Sequence, residues 1–402
     1  MKPIIFTIPG INWHVPGYGL MLMLGLFISI WWAARRAARS GANPDVILNM
    51  GFIAIIAGVV GCRIMYVVHY WDTFKTAGNT LQVIWAIIDV SKGGLEFYGG
   101  FILTTITVLA WLHFKEKVSI RWYLDIVAPS AALGLAIGRI GCFLNGCCFG
   151  GTCDLPWAVR FPFGSNACIH QWKKDLPGAG IREELLYTDP STGVTMTLTR
   201  ESFFAPDAKL EEVANTYRTM NKITQKLEKT TDAAERQRLS GQLRALTQSG
   251  GKDLIQYLPV AHNMVKYGLS AAQIRALARD YRTLPVHPTE PYSTITALII
   301  AFFLDALYWR RTRDGQVILT LLLIQPVMRW WLEVIRVDNP VDTIHMFTIS
   351  QFLAVAMTIV ALVGLIVLHF MPPRSPRARL WEPDDQPPAP KGGKRNQVAS
   401  AR

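Results

Sequence analysis

The sequence predicts an all-α, seven-span polytopic membrane helix bundle with an inserted, mainly helical extracytoplasmic head. Three observations carry this. Half of the 402 residues are hydrophobic and 17% are charged, where a water-soluble domain has about a quarter charged. The mean hydropathy is positive, +0.23. Apolar runs long enough to cross about 30 Å of hydrocarbon, roughly 20 helical residues, recur near 17–34, 46–70, 97–114, 124–145, 291–309, 316–335 and 348–370. A large soluble protein buries an occasional apolar helix, but not a series of this length with charges mostly at the ends. The net charge of +12 therefore points to a membrane rather than to nucleic acid, and no nucleic-acid partner is expected. A chain this apolar is not mainly disordered, and six Cys in 402 residues do not make a disulfide scaffold.

The first span precedes Arg35, Arg36 and Arg39, the third precedes Lys115, Lys117 and Arg121, and the fifth precedes Arg310, Arg311 and Arg313. Every second loop is basic, and basic loops stay in the cytoplasm. The expected protein is multi-pass, with the N-terminus outside and the C-terminus cytoplasmic. The first span lacks a basic n-region and a small-residue cleavage site, so it is expected to be retained. Four regions follow: a transmembrane core over 1–163 (spans one to four with a glycine-rich loop), an extracytoplasmic insert over 164–286, further core over 287–370 (spans five to seven), and a tail over 371–402. The tail, with PPRSPRAR and PPAPKGGKR, has the composition of a disordered basic segment lying near anionic headgroups.

In the insert, Leu210, Val213, Tyr217, Met220, Ile223 and Leu227 recur at helical spacing among charges. Asp232 followed by Glu235 predicts the start of a second helix carrying Leu239, Leu243 and Leu246, ended by Gly250 and Gly251. Together these read as a helical hairpin. Ser270 predicts the cap of a third helix over about 271–282. The insert shows no catalytic motif and reads as a structural or docking head.

Ionisable groups inside hydrocarbon cost about 3 kcal/mol or more and tend to mark function. Here they are Arg63, His69, Glu96, Asp125, Arg139, Asp305, Arg329, Glu333 and Arg336. Spans two, four and six share one direction, so Arg63, Arg139, Arg329 and Arg336 are expected to converge on one cavity towards the outer side. Guanidinium groups hold phosphate oxygens bidentately, which predicts an anion site within reach of lipid headgroups. Against this, Glu333 can neutralise Arg329 or Arg336 one helical turn away. The stretch GLAIGRIGCFLNGCCFGG, 134–151, places repeated glycine around Arg139 and Asn145. Such glycines either admit a ligand to backbone N–H groups or pack helices closely. A second glycine-rich turn, GGLEFYGG at 93–100, opens the third span. Two such loops at one membrane face suit a phosphate-bearing amphiphile.

At these residues the chain resembles the prolipoprotein diacylglyceryl transferase family. The resemblance rests on GRIGCFLNGCCFG preceded by DIVAPSAALGLAIGR, and on YGLMLMLG (18–25), GCRIMYVVHY (61–70), GGLEFYGG, HPTEPYS (287–293), RWWLEVIR (329–336) and FTISQF (347–352), in family order. It covers all seven spans, but neither most of the insert nor the tail. It implies transfer of the diacylglyceryl group of phosphatidylglycerol to the lipobox cysteine thiol of a prolipoprotein, with glycerol phosphate leaving. The implied partners are phosphatidylglycerol, lipobox-containing precursors and membrane lipids, with no metal or other cofactor. Carried over by position, Arg139 would hold the lipid phosphate and Arg329 would stabilise the leaving phosphate or the incoming thiolate. Tyr18 would contact the headgroup or an acyl chain, Asn145 and Gly150 fall on signature positions, Glu333 and Arg336 would hold Arg329, and His287 opens the His-Pro motif.

The chain departs from the family where its chemistry is concentrated. Tyr98 stands where the family commonly has His, Cys142 where it has Asn, and Cys147 where it has an acid. His is suited to take a proton near neutral pH, and Tyr, with a pKa near 10, is a poor substitute. Three readings stay open: the arginines lower the thiol pKa without a base; Tyr98, Glu96 or His69 serves as base; or the chain is an inactive homologue. A lipid or anionic-solute transporter or binding protein is the alternative from another class, although the repeat-related halves usual in transporters are not seen. The cysteines Cys142, Cys147, Cys148, Cys153 and Cys168 likewise admit a disulfide such as Cys153 with Cys168, buried unpaired thiols, or a metal site, for which C-x4-C-C-x4-C is a poor ligand pattern.

Overall fold

The computed structural model describes residues 4–8, 13–75, 79–90, 93–190, 192–337, 348–378 and 380–381, excluding the side chains of Ile4, Thr7, Ile8, Trp13, His14, Lys252 and Ile349. A hairpin of β1 (Ile4–Ile8) and β2 (Trp13–Pro16) leads into α1 (Gly17–Arg39). Then come α2 (Pro44–His69), α3 (Trp71–Lys75), α4 (Thr80–Ile88), α5 (Phe97–Trp111), prolonged by a π-helical turn to Glu116, and α6 (Ile120–Asn145). The insert contributes α7 (Asn166–Lys173), a hairpin of β3 (Leu186–Thr188) and β4 (Thr195–Thr197), α8 (Asp207–Lys229), α9 (Ala233–Tyr267) and α10 (Ala271–Asp280). The chain closes with α11 (Thr289–Arg310), α12 (Gln316–Ile335) and α13 (Ile349–Phe370). Among the described residues, seven helices, α1, α2, α5 with its π turn, α6, α11, α12 and α13, are long and apolar enough to span a bilayer. The protein is an all-α, multi-pass membrane protein, as the hydropathy predicts. The two small hairpins were not expected.

The chain forms two compact units, and the division runs through several spans. One comprises Met1–Met23, Ala136–Thr296 and Val327–Val355; the other comprises Leu24–Leu135, Ala297–Pro326 and Ala356–Arg402. We call the first the head unit and the second the stem unit.

In the stem unit, Ala33, Ala37, Ile126, Ala301, Leu304 and Tyr308 form the buried seam of α1, α6 and α11. Its charges are paired. Arg36 donates from Nε to Asp305 Oδ1 at 2.9 Å and also to Ile126 O and Ser130 Oγ. Asp125 accepts the backbone N–H groups of Gly315 and Ile318 at 2.7 and 2.9 Å. These are first-turn donors of α12 that no intrahelical carbonyl can satisfy. Asp125 and Asp305, two of the nine ionisable residues suspected of function, thus fasten helices. Between α2 and α5, Gly61 and Gly99 bring the backbones so close that a Cβ on Gly61 would lie 2.4 Å from Gly99 O.

The tail departs from expectation. Asp314 N donates to Pro373 O, Ser375 N to Asp314 Oδ2, and Trp381 N to Gly41 O. The segment 371–381 is therefore seated on the stem unit, apart from Arg379, which is not described. The disorder predicted for 382–402 lies outside the described residues.

In the head unit, α8 follows the predicted apolar stripe: Leu210, Val213 and Ala214 are buried with Leu254, Val260, Ala261 and Met264 of α9. Asp232 caps α9 as expected, accepting from Ala234 N. Gly250 and Gly251 end its first stretch as expected: Gly251 is non-helical (φ 47°, ψ −136°), and a second helical stretch, carrying the buried Leu254, Val260 and Ala261, continues to Tyr267. Ser270 and Gln273 form the capping box of α10.

Candidate functional site

The glycine-rich segment after α6 builds the site in the head unit. Helix α6 ends at Asn145, and Gly146 (φ +75°) reverses the chain, a conformation glycine adopts without steric cost. The N–H groups of Gly146 and Cys147 both donate to Cys142 O, at 2.9 and 3.2 Å. The following residues run as a short lace: Gly150 N donates to His287 O and Gly151 N to Ile335 O, each at 3.0 Å, and Gly150 bridges Arg336. Thr289 Oγ1 holds Cys148 O from the start of α11. A Cβ on Gly150 would lie 2.7 Å from His287 Cβ. This contact gives Gly150 and His287 a structural reason to be paired. Together they tie the loop to the start of α11 and the end of α12.

Around this loop stand the arginines. Arg329 Nη2 meets Glu333 Oε2 at 2.7 Å, and Arg336 Nη1 lies 3.9 Å from the same oxygen. Thr348 Oγ1 donates to the other oxygen, Oε1, at 3.3 Å. The Glu333 side chain is 1% exposed. Arg329 interacts electrostatically with Arg336, Glu333, Arg139 and Cys148. Three guanidinium groups therefore share one neighbourhood with one buried carboxylate. Among the described residues, the buried Nε of Arg139 and Nδ1 of His287 have no hydrogen-bond partner. Tyr18, in the first turn of α1, lies within the field of Arg139 and of Cys142, Cys147 and Cys148. Gly141 permits this, since its missing Cβ would stand 3.3 Å from Tyr18 Cα. Asn145 is exposed at the helix end. Beside Arg139, a groove of about 190 Å³ is lined by Ile140, Phe143, Pro291, Thr294 and Ile295.

Cys142, Cys147 and Cys148 place their sulfurs within 4.8 Å of one another. The Cys148 thiol is held below the usual thiol range by the Cys142 and Cys147 side chains, with Arg336 and Arg139 acting in the same sense against burial. All six cysteines are free thiols, so the suggested Cys153 to Cys168 disulfide is absent. Cys168 is buried in the α8–α9 core, and burial pushes its thiol up, against a Gly164 N–H and the Tyr281 hydroxyl.

Two expected site residues, Arg63 and Tyr98, belong to the stem unit. Arg63 was expected among the converging arginines. Its Nε donates to Ile87 O at 2.8 Å, Nη1 to Gly93 O and Gly94 O at 2.9 and 3.0 Å, and Nη2 to Ala86 O and Asp89 O at 2.6 and 2.8 Å. All five N–H donors of a guanidinium are thereby used, three of them on carbonyls at the end of α4, where the helix dipole favours a cation. Arg63 is a C-terminal clasp for α4, and the anion role expected of it is corrected. The turn at 93–100 is corrected with it: Gly93 and Gly94, at φ +83° and +79°, present carbonyls to Arg63, while Gly99 packs on Gly61. Tyr98 sits half-exposed in the first turn of α5. Near it in sequence, His69 Nδ1 and Glu96 Oε1 pair at 2.7 Å.

Sequence reasoning missed Thr289 and Thr348. Thr289 lies in the HPTEPYS motif and Thr348 in FTISQF, so motif membership was the available signal, but their partners at positions 148 and 333 are set by the fold.

Comparison with known proteins shows the family. The family model for prolipoprotein diacylglyceryl transferase matches residues 3–367. A phosphatidylglycerol–prolipoprotein diacylglyceryl transferase of Rhodopirellula baltica is 41% identical over 161 residues, 39% of this chain and 32% of that protein. Proteins of the same name from Pseudoalteromonas translucida and Clostridium tetani are each 35% identical over 42% of this chain, covering 61% and 66% of their own lengths. The aligned part of the chain thus spans from about a third to just under two thirds of these relatives.

Proposed function

The chain belongs to the prolipoprotein diacylglyceryl transferase family, and from that premise we propose that it transfers the diacylglyceryl group of phosphatidylglycerol to the lipobox cysteine of prolipoproteins. The observation that carries the reading is the gathering of Arg139, Arg329 and Arg336, with Glu333 paired to Arg329 and Arg336 and Arg139 Nε unengaged. That excess of positive charge suits a phosphate diester entering and a phosphate monoester leaving.

In the proposed reaction the acceptor sulfur, as thiolate, attacks the terminal glycerol carbon of the diacylglyceryl group. The carbon–oxygen bond to phosphate breaks, a thioether forms, and glycerol phosphate departs with the electron pair. Arg139 holds the phosphate of the bound lipid. Arg329, oriented by Glu333 and supported by Arg336, meets the charge that grows on the leaving oxygen; preorganised donors of this kind contribute about 3 to 4 kcal/mol each. The same field favours thiolate over thiol in the acceptor, whose free pKa is near 8.5. The Ile140–Ile295 groove takes an acyl chain beside the phosphate, and Tyr18 and Asn145 face the headgroup. Gly150 and His287 hold the loop in place. The acceptor's thiol proton passes to water, a loss that the arginines favour. The basic alternate loops support a location in the bacterial inner membrane with the N-terminus outside.

The test is expression in cells depleted of their own transferase, with mass spectrometry of a model prolipoprotein. The expected result is a precursor heavier by one diacylglyceryl group. Absence of that mass, with the protein present in the membrane, would refute the reading. A lipid or anionic-solute carrier would instead move lipid without altering the precursor.

A further inference from the structure

The three thiols beside the arginines have no part in the proposed reaction. Cys142 closes the last turn of α6, and the Gly146 reversal returns Cys147 to it, with Cys147 N bonded to Cys142 O. Adjacent residues in extended chain point to opposite sides. Cys148, however, lies in the left-handed region at φ +66°, which breaks that alternation and lets an adjacent pair serve one centre. The three sulfurs lie within 4.8 Å of one another. Ligands bound at about 2.3 Å in tetrahedral geometry stand roughly 3.8 Å apart, so an inward shift of about 1 Å completes the set.

An all-sulfur donor set selects soft, thiophilic ions and rejects Mg2+ and Ca2+. Charge supports occupancy. Three thiolates around Zn2+ or Cu+ carry net negative charge, and Arg336 and Arg139 lie within the field of Cys148, as Cys148 does within that of Arg329. The positive surroundings that suit a lipid phosphate thus suit an anionic metal–thiolate group, and the two cannot both take the same arginines.

We propose that Cys142, Cys147 and Cys148 form a three-thiolate site for one soft metal ion, and that its occupied form excludes the lipid phosphate from Arg139. On binding, thiol protons pass to solvent, three metal–sulfur bonds form, and no redox change is involved. The exclusion rests on the transferase reading; the metal site does not.

The experiment uses the full chain in detergent, reduced and stripped by chelator, and titrated with Cd2+ while the ultraviolet sulfur-to-metal charge-transfer band is followed. One ion per chain is expected. Cys147→Ser should weaken binding at least tenfold, while Cys153→Ser, outside the cluster, should leave it unchanged. No band with all three thiols free by alkylation and mass spectrometry, an equal band in Cys147→Ser, or a disulfide among the three in protein taken directly from membranes would each overturn the site. In the transfer assay, stoichiometric Zn2+ should inhibit at least tenfold, chelator should restore activity, and Cys147→Ser should be resistant relative to its own metal-free rate. Binding without inhibition of an active protein would overturn the exclusion. A protein inactive under all conditions would refute the transferase reading and leave the titration to decide the site.

Discussion

The stem and head units treat buried arginine in opposite ways. In the stem unit two arginines of the spans are satisfied locally: Arg36 by Asp305, Ser130 and Ile126 O, and Arg63 by five carbonyls. In the head unit Arg329 and Arg336 share Glu333, and Arg139, within the field of Arg329, retains an unengaged buried Nε. A buried charge without partners is costly, so the first arrangement holds helices together and the second stays ready for an anion from outside. Arginine in a span is therefore not by itself a sign of a ligand; what distinguishes the two is the balance of acceptors around it.

The sharpest way to break this contrast is to remove one arginine from each unit. Arg139→Ala should lower transfer more than a hundredfold, about 3 kcal/mol or more, with membrane abundance unchanged. Arg63→Ala should instead loosen α4, shown by faster proteolysis between residues 70 and 95. Arg63→Lys should not rescue it, because an ammonium has three donors for five carbonyls. If Arg63→Ala abolishes transfer without loosening α4, the assignment of the two units is wrong.

Next in size is the Arg36–Asp305 pair. Arg36→Ala alone should destabilise by about 1 to 3 kcal/mol, since Asp305 is only part-buried and keeps some access to its surroundings, while Arg36→Met with Asp305→Leu should recover most of it. A thermal-shift double-mutant cycle measures the coupling, and additive losses would mean the pair is not buried as a unit.

Smaller still, Tyr98→Phe should keep transfer within about tenfold of wild type if a proton acceptor other than the phenol serves. His69→Gln should cost more, and shift the pH profile, if His69 with Glu96 accepts the proton. Equal, wild-type rates in both would assign thiol activation to the arginines alone.

The least effect concerns the head hairpin. His262 bonds the Tyr217 hydroxyl at 2.8 Å, and burial, then Lys266, holds its pKa below the ordinary imidazole value. A depressed folded-state pKa means the unfolded chain binds the proton more tightly. The stabilisation is complete above about pH 6.5 and is lost as the pH falls through the lower folded value. Hydrogen exchange of α8 and α9 should accelerate on acidification over that range, and His262→Gln should flatten the response.

The spans were legible because a helix needs about 20 apolar residues to cross a bilayer, a requirement met locally from Gly17 to Phe370. Caps at Asp232 and Ser270 were legible for the same reason, since the side chain and its backbone partner lie within three residues. The stop at Gly251 was legible as a glycine break, but the helix that follows it to Tyr267 was not, because its burial through Val260 and Ala261 is set by the fold. Resemblance to a family pointed to Arg139, Arg329 and Glu333, whereas the shared direction of the spans, which says nothing of main-chain acceptors, wrongly added Arg63.

By itself, then, the sequence determined that this is a seven-span membrane protein with a helical insert and arginines within its spans. Only the tertiary structure decided which arginines are occupied. The acceptors of Arg63 are main-chain carbonyls, which carry no residue signature, and the partner of Arg36 lies 269 residues away. The approach of Cys142, Cys147 and Cys148 likewise depends on one left-handed backbone angle. Hydropathy is a sum over neighbours in sequence, whereas electrostatic satisfaction is a sum over neighbours in space.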